Sequence, residues 1–340
     1  MTADRDHRWM SAALALGERG RGRTSPNPNV GCVIVADGRV VGRGWTGDGG
    51  RPHAEAVALE QAGAAARGAT VYVTLEPCSH RSQRGPACAD LLIAAGVTRV
   101  VVALGDPDAR VDGAGLGRLR EAGIQVVVGV RTEEARRSMA GFLTRQTLGR
   151  PFVTCKLAMS IDGCIAMASG ESRWITGAEA RAHAHLERSR HEAILVGRGT
   201  WEADRPALDV RLAGLEGRSP TRVVLSTRAG PPVASGSTQG DDVSWIGSPA
   251  EISALPGDHV LVEGGARTAA AFLRVDLVDR LLLYRAPVLI GGGLPGLADI
   301  GLATLGDAHG RWRRDDARAL GVDLLEVYRR TRCSPVSSPT

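Results

Sequence analysis

Two residue types that soluble proteins use freely are nearly missing from this chain. Its 340 residues include one lysine, Lys156, against 41 arginines, and two asparagines, Asn27 and Asn29, which share the stretch SPNPNVG. Both types have A-rich codons, so a G+C-biased genome drains them together and leaves survivors where Arg, Asp or Ser cannot substitute. Aromatic residues make up 4% of the chain, too few to interleave as stacking platforms for single-stranded nucleic acid. No segment reaches the roughly 18 apolar residues that cross a bilayer, and MTADRDHRWM lacks the apolar run of an export signal. Six cysteines in so long a chain are too sparse for a secreted disulfide framework. The net charge of +5 carries no Lys/Arg block, which suits phosphorylated small molecules and disfavours nucleic acid. A cytoplasmic enzyme with neither membrane nor nucleic-acid partner is expected.

What is present reads as two globular domains. The length suffices for two cores, and 43% hydrophobic with 23% charged residues is ordinary for packed domains. Residues 1–147 alternate helix and strand signals. A helix near residues 6–20 precedes the strand pair VGCVIVADGRVVGRG, with a turn at Asp37-Gly38; AEAVALEQAGAAA, TVYVTLE, ADLLIAAG, RVVVALGD, GAGLGRLREAG and IQVVVGV then alternate. Such an order predicts an α/β domain. Residues 148–330 repeat the class with a strand at PFVTCKLA, helix GAEARAHAHLERSR, strands EAILVG, TRVVLS, VSWIG and HVLVEGG, helix ARTAAAFLR and the run RLLLYRAPVLIGGG. The piece from Ala229 to Gly240 reads as a surface loop and residues 331–340 as a disordered tail.

In the first domain three pieces stand out: RPHAEAVALE, TLEPCSH and GPACADLL. His53 and Glu55 open a helix after Pro52, Cys78 leaves a strand, and Cys88 enters the next helix, so all point to one place beyond the element ends. An imidazole and two thiolates form a ligand set suited to Zn²⁺ with a fourth position left for water. Water on such a metal falls from a pKa of about 15.7 to about 7, and Glu55 can take its proton and pass it on. H-x-E followed by P-C is a pattern of zinc deaminases. A closed structural zinc site would need a fourth ligand, for which His80 is the candidate, and would leave Glu55 without purpose. Cys32, Cys155, Cys164 and Cys333 are isolated and read as core or surface thiols.

The second domain carries KLAMSIDGCIAMASGESRWITG, ILVGRGTWEADRPALDVR and LVEGGARTAAAFL. The last is a strand, a Gly pair and a helix start, where backbone N–H groups meet a phosphate at the positive helix end. GGGLPG from Gly291 matches a dinucleotide fingerprint in form only, since about 45 residues follow it and a Rossmann unit needs more. His183, His185 and His191 read as solvated, on or next to a polar helix face.

Together these stretches, with SPNPNVG, HAEAVAL and GDPDARVDGAG, resemble the bifunctional riboflavin-biosynthesis deaminase/reductases over nearly the whole chain. The resemblance implies a cytidine-deaminase-like three-layer α/β/α domain followed by a dihydrofolate-reductase-like α/β domain. It implies zinc on His53, Cys78 and Cys88, with Glu55 moving protons, and substrate contacts from Asn27, His80, Asp106 and Asp108. Arg84, or else Arg81, would meet the substrate phosphate. In the reductase half it implies NADPH at Ala158, Trp174, Thr200, Asp204, Thr227, Gly265, Ala266, Arg267 and Thr268, and substrate at Ser172, Arg188, Leu208, Arg211 and Glu263. Two arginines and a hydroxyl are what a phosphate requires. Lys156 reads as a substrate or proton-transfer residue, because an ammonium can release a proton where a guanidinium cannot.

The implied substrate is a phosphoribosylated diaminopyrimidinone, and the implied assembly a homo-oligomer, dimer or tetramer. Departures from the family pattern are nine residues between Cys78 and Cys88 where eight are usual, SQRGPA in place of Gly-Lys/Arg-Thr-Pro-Pro, and Asp108 where Asn is usual. In the second half they are Cys164, Arg205 and Ser226. They keep open a relative with one activity, or one acting on a related pyrimidine. A nucleic-acid-editing deaminase and a non-catalytic zinc module are the readings from other classes.

Overall fold

A computed structural model of the protein describes residues 2–79, 85–107, 113–228 and 243–331. His80, Arg81, Arg84, Asp108, Cys333, the loop at 229–240 and the tail beyond 331 lie outside the described residues. The chain forms two compact units, Met1–Arg150 and Pro151–Thr340, dividing three residues later than the expected 147 because a helix runs on to Leu148. No helix among the described residues is long and apolar enough to cross a membrane.

The first unit runs α1 (Thr2–Gly17), β1 (Gly31–Ala36), β2 (Arg39–Trp45), α2 (Ala54–Ala62), β3 (Thr70–Val73), α3 (Cys88–Ala95), β4 (Arg99–Val102), α4 (Ala114–Glu121), β5 (Gln125–Val128), α5 (Thr132–Ser138) and α6 (Ala140–Leu148). Its described strands form one sheet in the order β2-β1-β3-β4-β5. The β1-β2 and β1-β3 pairs are antiparallel and β3-β4-β5 parallel. Asp37 and Gly38 both have positive φ, 48° and 74°, the primed geometry that matches a hairpin's twist.

Helix layers on both faces follow from register and sterics. Gly31 pairs with Trp45, Cys32 with Gly44 and Ile34 with Gly42. A Cβ on Gly31 would meet the Ala13 carbonyl of α1 at 1.9 Å, and Cβ atoms on Gly42 and Gly44 would meet the Ala58 and Ala54 carbonyls of α2 at 2.1 and 2.4 Å. Neighbouring residues of a strand face opposite ways, so α1 and α2 lie on opposite faces, each drawn close by glycine. This is the expected three-layer sandwich. α5, α6 and the span they cover had no assignment from sequence pattern.

The second unit continues with β6 (Phe152–Met159), β7 (Cys164–Ala166), α7 (Ala178–Arg188), β8 (Ala193–Gly197), α8 (Arg198–Asp204), β9 (Thr221–Leu225), β10 (Val243–Ile246), β11 (His259–Val262), α9 (Ala266–Arg274), β12 (Arg280–Arg285), β13 (Leu294–Pro295), β14 (Trp312–Leu320) and β15 (Asp323–Arg330). Eight described strands pair in the order β10-β9-β8-β11-β6-β12-β15-β14. The first six are parallel and the last two form an antiparallel hairpin. That hairpin escaped the sequence reading because WRRDDARAL is charged and mostly exposed on an edge strand, the usual guard against strand-to-strand association. GGGLPG supplies a bend and β13, with the Gly291 N–H donating to Asp162 at 2.8 Å.

Alternation along β6 divides structure from chemistry. Val153, Cys155 and Leu157 enter the apolar core. Thr154, Lys156 and Ala158 alternate with them and so face the other way; Lys156 and Ala158 line a cleft. Neighbouring strands obey the same rule: Val260 and Val262 of β11 enter that core, and Leu261 packs in a separate cluster. Glu263, next in the same alternation, lines the cleft.

Candidate active sites

In the first unit His53 stands at the N-cap of α2 in extended conformation, Glu55 lies in the buried first turn, and Cys88 opens α3. The cis peptide Arg51-Pro52 precedes them. One ligand atom from each of His53, Cys78 and Cys88 falls within 4.8 Å of the others. His53 Nδ1 is 3.2 Å from the Cys88 sulfur and 3.7 Å from that of Cys78. Zinc bonds of about 2.0 Å to nitrogen and 2.3 Å to sulfur hold tetrahedral ligands about 3.5 Å apart, so these residues fit the ion.

Charge at the site is arranged for such a group. The Cys88 thiol and backbone N–H both donate to the Cys78 sulfur, and with His53 they lower the Cys78 pKa to about 4 despite burial. Cys88, which keeps its proton in that pair, is pushed up. Burial also raises Glu55, against the pull of His53. A carboxyl moved towards neutrality is suited to accept and return a proton.

Asn27 and Asn29 have separate tasks. The Asn27 amide nitrogen donates to the Gly50 carbonyl at 2.8 Å and lies 3.1 Å from His53 Nε2. Gly50 has φ +85°, and a Cβ there would strike the Asn27 side chain at 2.7 Å. The loop is therefore closed onto the ring that presents Nδ1 to the sulfurs. Asn29 is buried. Its amide donates to the Gly17 carbonyl and to Ser138 Oγ, both at 3.3 Å, tying the loop to the end of α1 and to α5.

Sequence reading passed over two residues that organise this centre. Glu76, buried before Pro77, accepts backbone N–H groups from Gly115 and Leu116 on one oxygen, at 3.0 and 3.3 Å, and from Gly113 and Asp106 on the other, at 3.2 and 3.4 Å. It thus joins the Cys78 turn to the segment of Asp106. Arg118 contacts Ser79 and Asp90. The motif TLEPC held the signal for Glu76; nothing separates Arg118 from forty other arginines in the sequence.

The second site is a cleft of about 680 Å³ beyond the carboxyl ends of β6, β8 and β11, where parallel sheets place ligands. Lys156, Ala158, Ser172, Trp174, Thr200, Asp204, Arg188, Arg211, Glu263 and Gly265 all line it. Arg188 grips Glu263 with Nε and Nη2 at 2.8 and 2.9 Å, and donates Nη1 to the Asp209 carbonyl at 2.9 Å. Lys156 Nζ lies 3.9 Å from Glu263 Oε2 and 5.8 Å from the Tyr284 ring centre. Burial would raise the Glu263 carboxyl, but Lys156 and Arg188 outweigh it and hold its pKa down to about 2. Trp174, 67% exposed, stacks beneath the Arg181 guanidinium.

Other expected residues fall outside the lining. The Leu208 side chain is buried in a small core with Ile194, Val196 and Val224, and its φ of 54° is costly for a residue with a Cβ; its backbone alone can face a ligand. Thr268 packs against Gly197 and Gly264 and so shapes the turn before α9. Thr227 and Arg267 are exposed, and Ala266 begins α9.

The three histidines are not simply solvated: one is buried and two are half-buried. His191 is buried, bonded to the Glu187 carbonyl at 2.6 Å and Thr154 Oγ1 at 3.0 Å. His183 lies 2.7 Å from the Tyr284 hydroxyl, and burial lowers its pKa. His185 lines the cleft, with burial and the Arg188 and Arg211 charges lowering its pKa. The helix face looked polar because its partners lie far away in sequence. Cys32, Cys155 and Cys164 are buried thiols, as read.

Comparison with known proteins places both halves. Residues 3–104 match the cytidine and deoxycytidylate deaminase zinc-binding region, and residues 151–325 match the RibD C-terminal domain. The riboflavin biosynthesis protein RibD of Escherichia coli (strain K12) is 41% identical over 360 residues, covering 94% of this chain and 98% of its own. Acinetobacter baumannii RibD, form 2, superposes with a TM-score of 0.83 at 36% identity, covering 97% of this chain and 100% of that one. A diaminohydroxyphosphoribosylaminopyrimidine deaminase/5-amino-6-(5-phosphoribosylamino)uracil reductase from Thermotoga maritima gives 0.84 at 33% identity, with the same coverage. With a zinc-ligand cluster in one unit, a lysine-lined cleft in the other, and relatives matched along both, the chain belongs to the RibD family.

Proposed function

We propose that the chain catalyses two steps of riboflavin biosynthesis: hydrolytic deamination of 2,5-diamino-6-(5-phosphoribosylamino)pyrimidin-4-one, then NADPH-dependent reduction of the ribosyl to the ribityl side chain. The observation that carries the reading is a reactive cluster in each half of one chain: His53, Cys78, Cys88 and Glu55 in the first, and Lys156 beside Glu263 in the second. Bound zinc supplies a Lewis acid that makes water nucleophilic at neutral pH. Glu55 carries one proton of the attacking water to the pyrimidine nitrogen and then moves the second, from the new hydroxyl, to the amino group, which leaves as ammonia as the carbonyl forms. Asn27 holds the loop closed on Gly50 beside the His53 ring and offers its amide to the pyrimidine edge. Asp106, with His80, Asp108 and Arg84 beyond the described residues, completes the substrate contacts.

In the second half Ala158, Trp174, Thr200, Asp204, Thr227 and the turn from Gly265 to Thr268 would hold NADPH, which would supply the hydride for C1 of the ribose. The bond from C1 to the ring oxygen breaks, and Lys156 gives that oxygen its proton. Ser172, Arg211 and the Leu208 backbone face the phosphoribosyl end, and Glu263 holds Lys156 in place. Arg188 contributes through Glu263 more than through free donors, since three of its N–H directions are engaged. The enzyme is assigned to the cytoplasm, where NADPH and sugar phosphates reside. A homo-oligomer, dimer or tetramer, belongs to the same proposal.

The test is a coupled assay on the purified protein with the authentic pyrimidine phosphate. Zinc-dependent ammonia release followed by NADPH oxidation is expected. Ammonia without NADPH oxidation would reduce the chain to a single-activity relative, and neither would remove the reading.

A further inference from the structure

Nine residues separate Cys78 from Cys88, yet the two sulfur-bearing segments are joined by contacts that do not pass through the middle of that spacer. The Ala89 N–H donates to the Cys78 carbonyl at 3.1 Å and the Cys88 N–H to the Cys78 sulfur at 3.4 Å. A third link comes from α4. Arg118 Nη1 donates both to the Ser79 carbonyl at 2.9 Å and to the Asp90 carboxylate at 2.8 Å. Ser79 follows one thiolate residue, and Asp90 lies in the first turn of the helix that the other begins. A single guanidinium nitrogen therefore spans both ligand segments.

The helix that carries Arg118 is anchored to the same turn. Its first-turn N–H groups, at Gly115 and Leu116, end on Glu76, and a Cβ at Gly115 would meet the Pro77 carbonyl at 2.0 Å. The helix passes as close as glycine permits, and its backbone cannot drift without breaking the Glu76 contacts. Arg118 and Asp90 side chains are 42% and 29% exposed, so their ion pair adds little to global stability. A contact of small energetic worth at this place is explained by position.

We propose that Arg118 is a positioning residue of the metal centre: it braces Cys78 against Cys88 from outside the spacer and slows release of the bound ion. The inference rests on the zinc reading above. It explains how a spacer longer than the family's usual eight residues leaves the ligand triangle intact. Outer-shell partners of metal ligands are worth about 10- to 100-fold in metal affinity, and the lower figure suits contacts one and two residues removed from the ligands.

The experiment follows zinc release from the full-length holoprotein into excess chromogenic chelator. Arg118→Met is expected to release zinc about tenfold faster. Arg118→Lys should fall between it and the parent, because one ammonium can still donate to both oxygens. Melting temperature and NADPH oxidation on pre-deaminated substrate should stay unchanged in both. A release rate for Arg118→Met within twofold of the parent overturns the proposal. If that variant misfolds, Asp90→Asn decides, since it weakens one arm only: faster release supports the brace and an unchanged rate rejects it. A parent protein whose zinc content is unaffected by Cys78→Ser overturns the zinc reading itself, an outcome distinct from either result at Arg118.

Discussion

The two sites solve the placement of reactive groups in opposite ways. The first gathers its ligands at the ends of short elements, so His53, Cys78 and Cys88 meet although their side chains share no continuous surface. The second spreads its groups along the carboxyl ends of parallel strands and relies on ion pairing, with Glu263 buried between Lys156 and Arg188. One is held by backbone and sulfur contacts, the other by charge. A metal centre tolerates this economy because the ion itself draws its ligands together, whereas the reductase cleft must be preorganised by protein alone.

If the halves are independent catalysts, a substitution in one should leave the other silent. Glu55→Gln keeps the shape of the buried carboxyl and removes its basicity, so deamination should fall by about 10²- to 10⁴-fold. Zinc content and NADPH oxidation on deaminated substrate should not change. Retained deamination would show that Glu55 is not the group that moves the protons. Lys156→Met should cost about 10²-fold in the rate of reduction with ammonia release untouched. Lys156→Arg should rescue little, because guanidinium keeps its proton. An Arg variant as active as the parent would show that Lys156 serves only as a cation.

How much of this could be read in the sequence follows the same division. HAE, TLEPC and GPAC name their chemistry, since a thiolate, an imidazole and a carboxylate at helix mouths have few other uses. The cleft was legible as a set of motifs but not as contacts: Arg188 and Glu263 are 75 residues apart, and no local pattern states which carboxylate an arginine meets. His183, His185 and His191 were misread for that reason. VTCKLAM, however, did contain a usable signal, because strict alternation places Lys156 opposite the core residues Cys155 and Leu157. The β14-β15 hairpin lacked even that, its edge strand being charged on both faces.

The paired asparagines sharpen the contrast within one loop. Asn27→Ala opens the loop at Gly50 and removes the amide offered to the pyrimidine, and should lower deamination by about 10-fold, the worth of one hydrogen bond to the substrate. Asn29→Ala removes two buried bonds of 3.3 Å and should cost about 1–3 kcal/mol of stability. That is a fall of roughly 2–4 °C in melting temperature per kcal/mol for a domain of this size, with kinetics preserved. Equal, small effects on deamination from both substitutions would refute the assignment.

The smallest expected effect tests the far end of the reductase sheet. Glu192 precedes β8, at the end of the strands opposite the cleft, and its carboxylate accepts the His259 N–H at 2.8 Å. Burial, with help from the Asp258 charge, raises its pKa to about 7. The folded state therefore binds this proton more tightly than the unfolded chain, whose Glu titrates near about 4.3. The stabilisation is complete below that value and is lost as pH rises through about 7. Glu192→Gln keeps an acceptor for His259 and abolishes the titration, so its stability relative to the parent should climb between about pH 5 and pH 8, by on the order of 1 kcal/mol. Chemical denaturation at the two pH values measures this. Reduction kinetics should be unmoved at either, because the carboxyl ends of the strands carry the chemistry and the amino ends only their support; a loss of reductase rate in Glu192→Gln would show that the two ends are coupled.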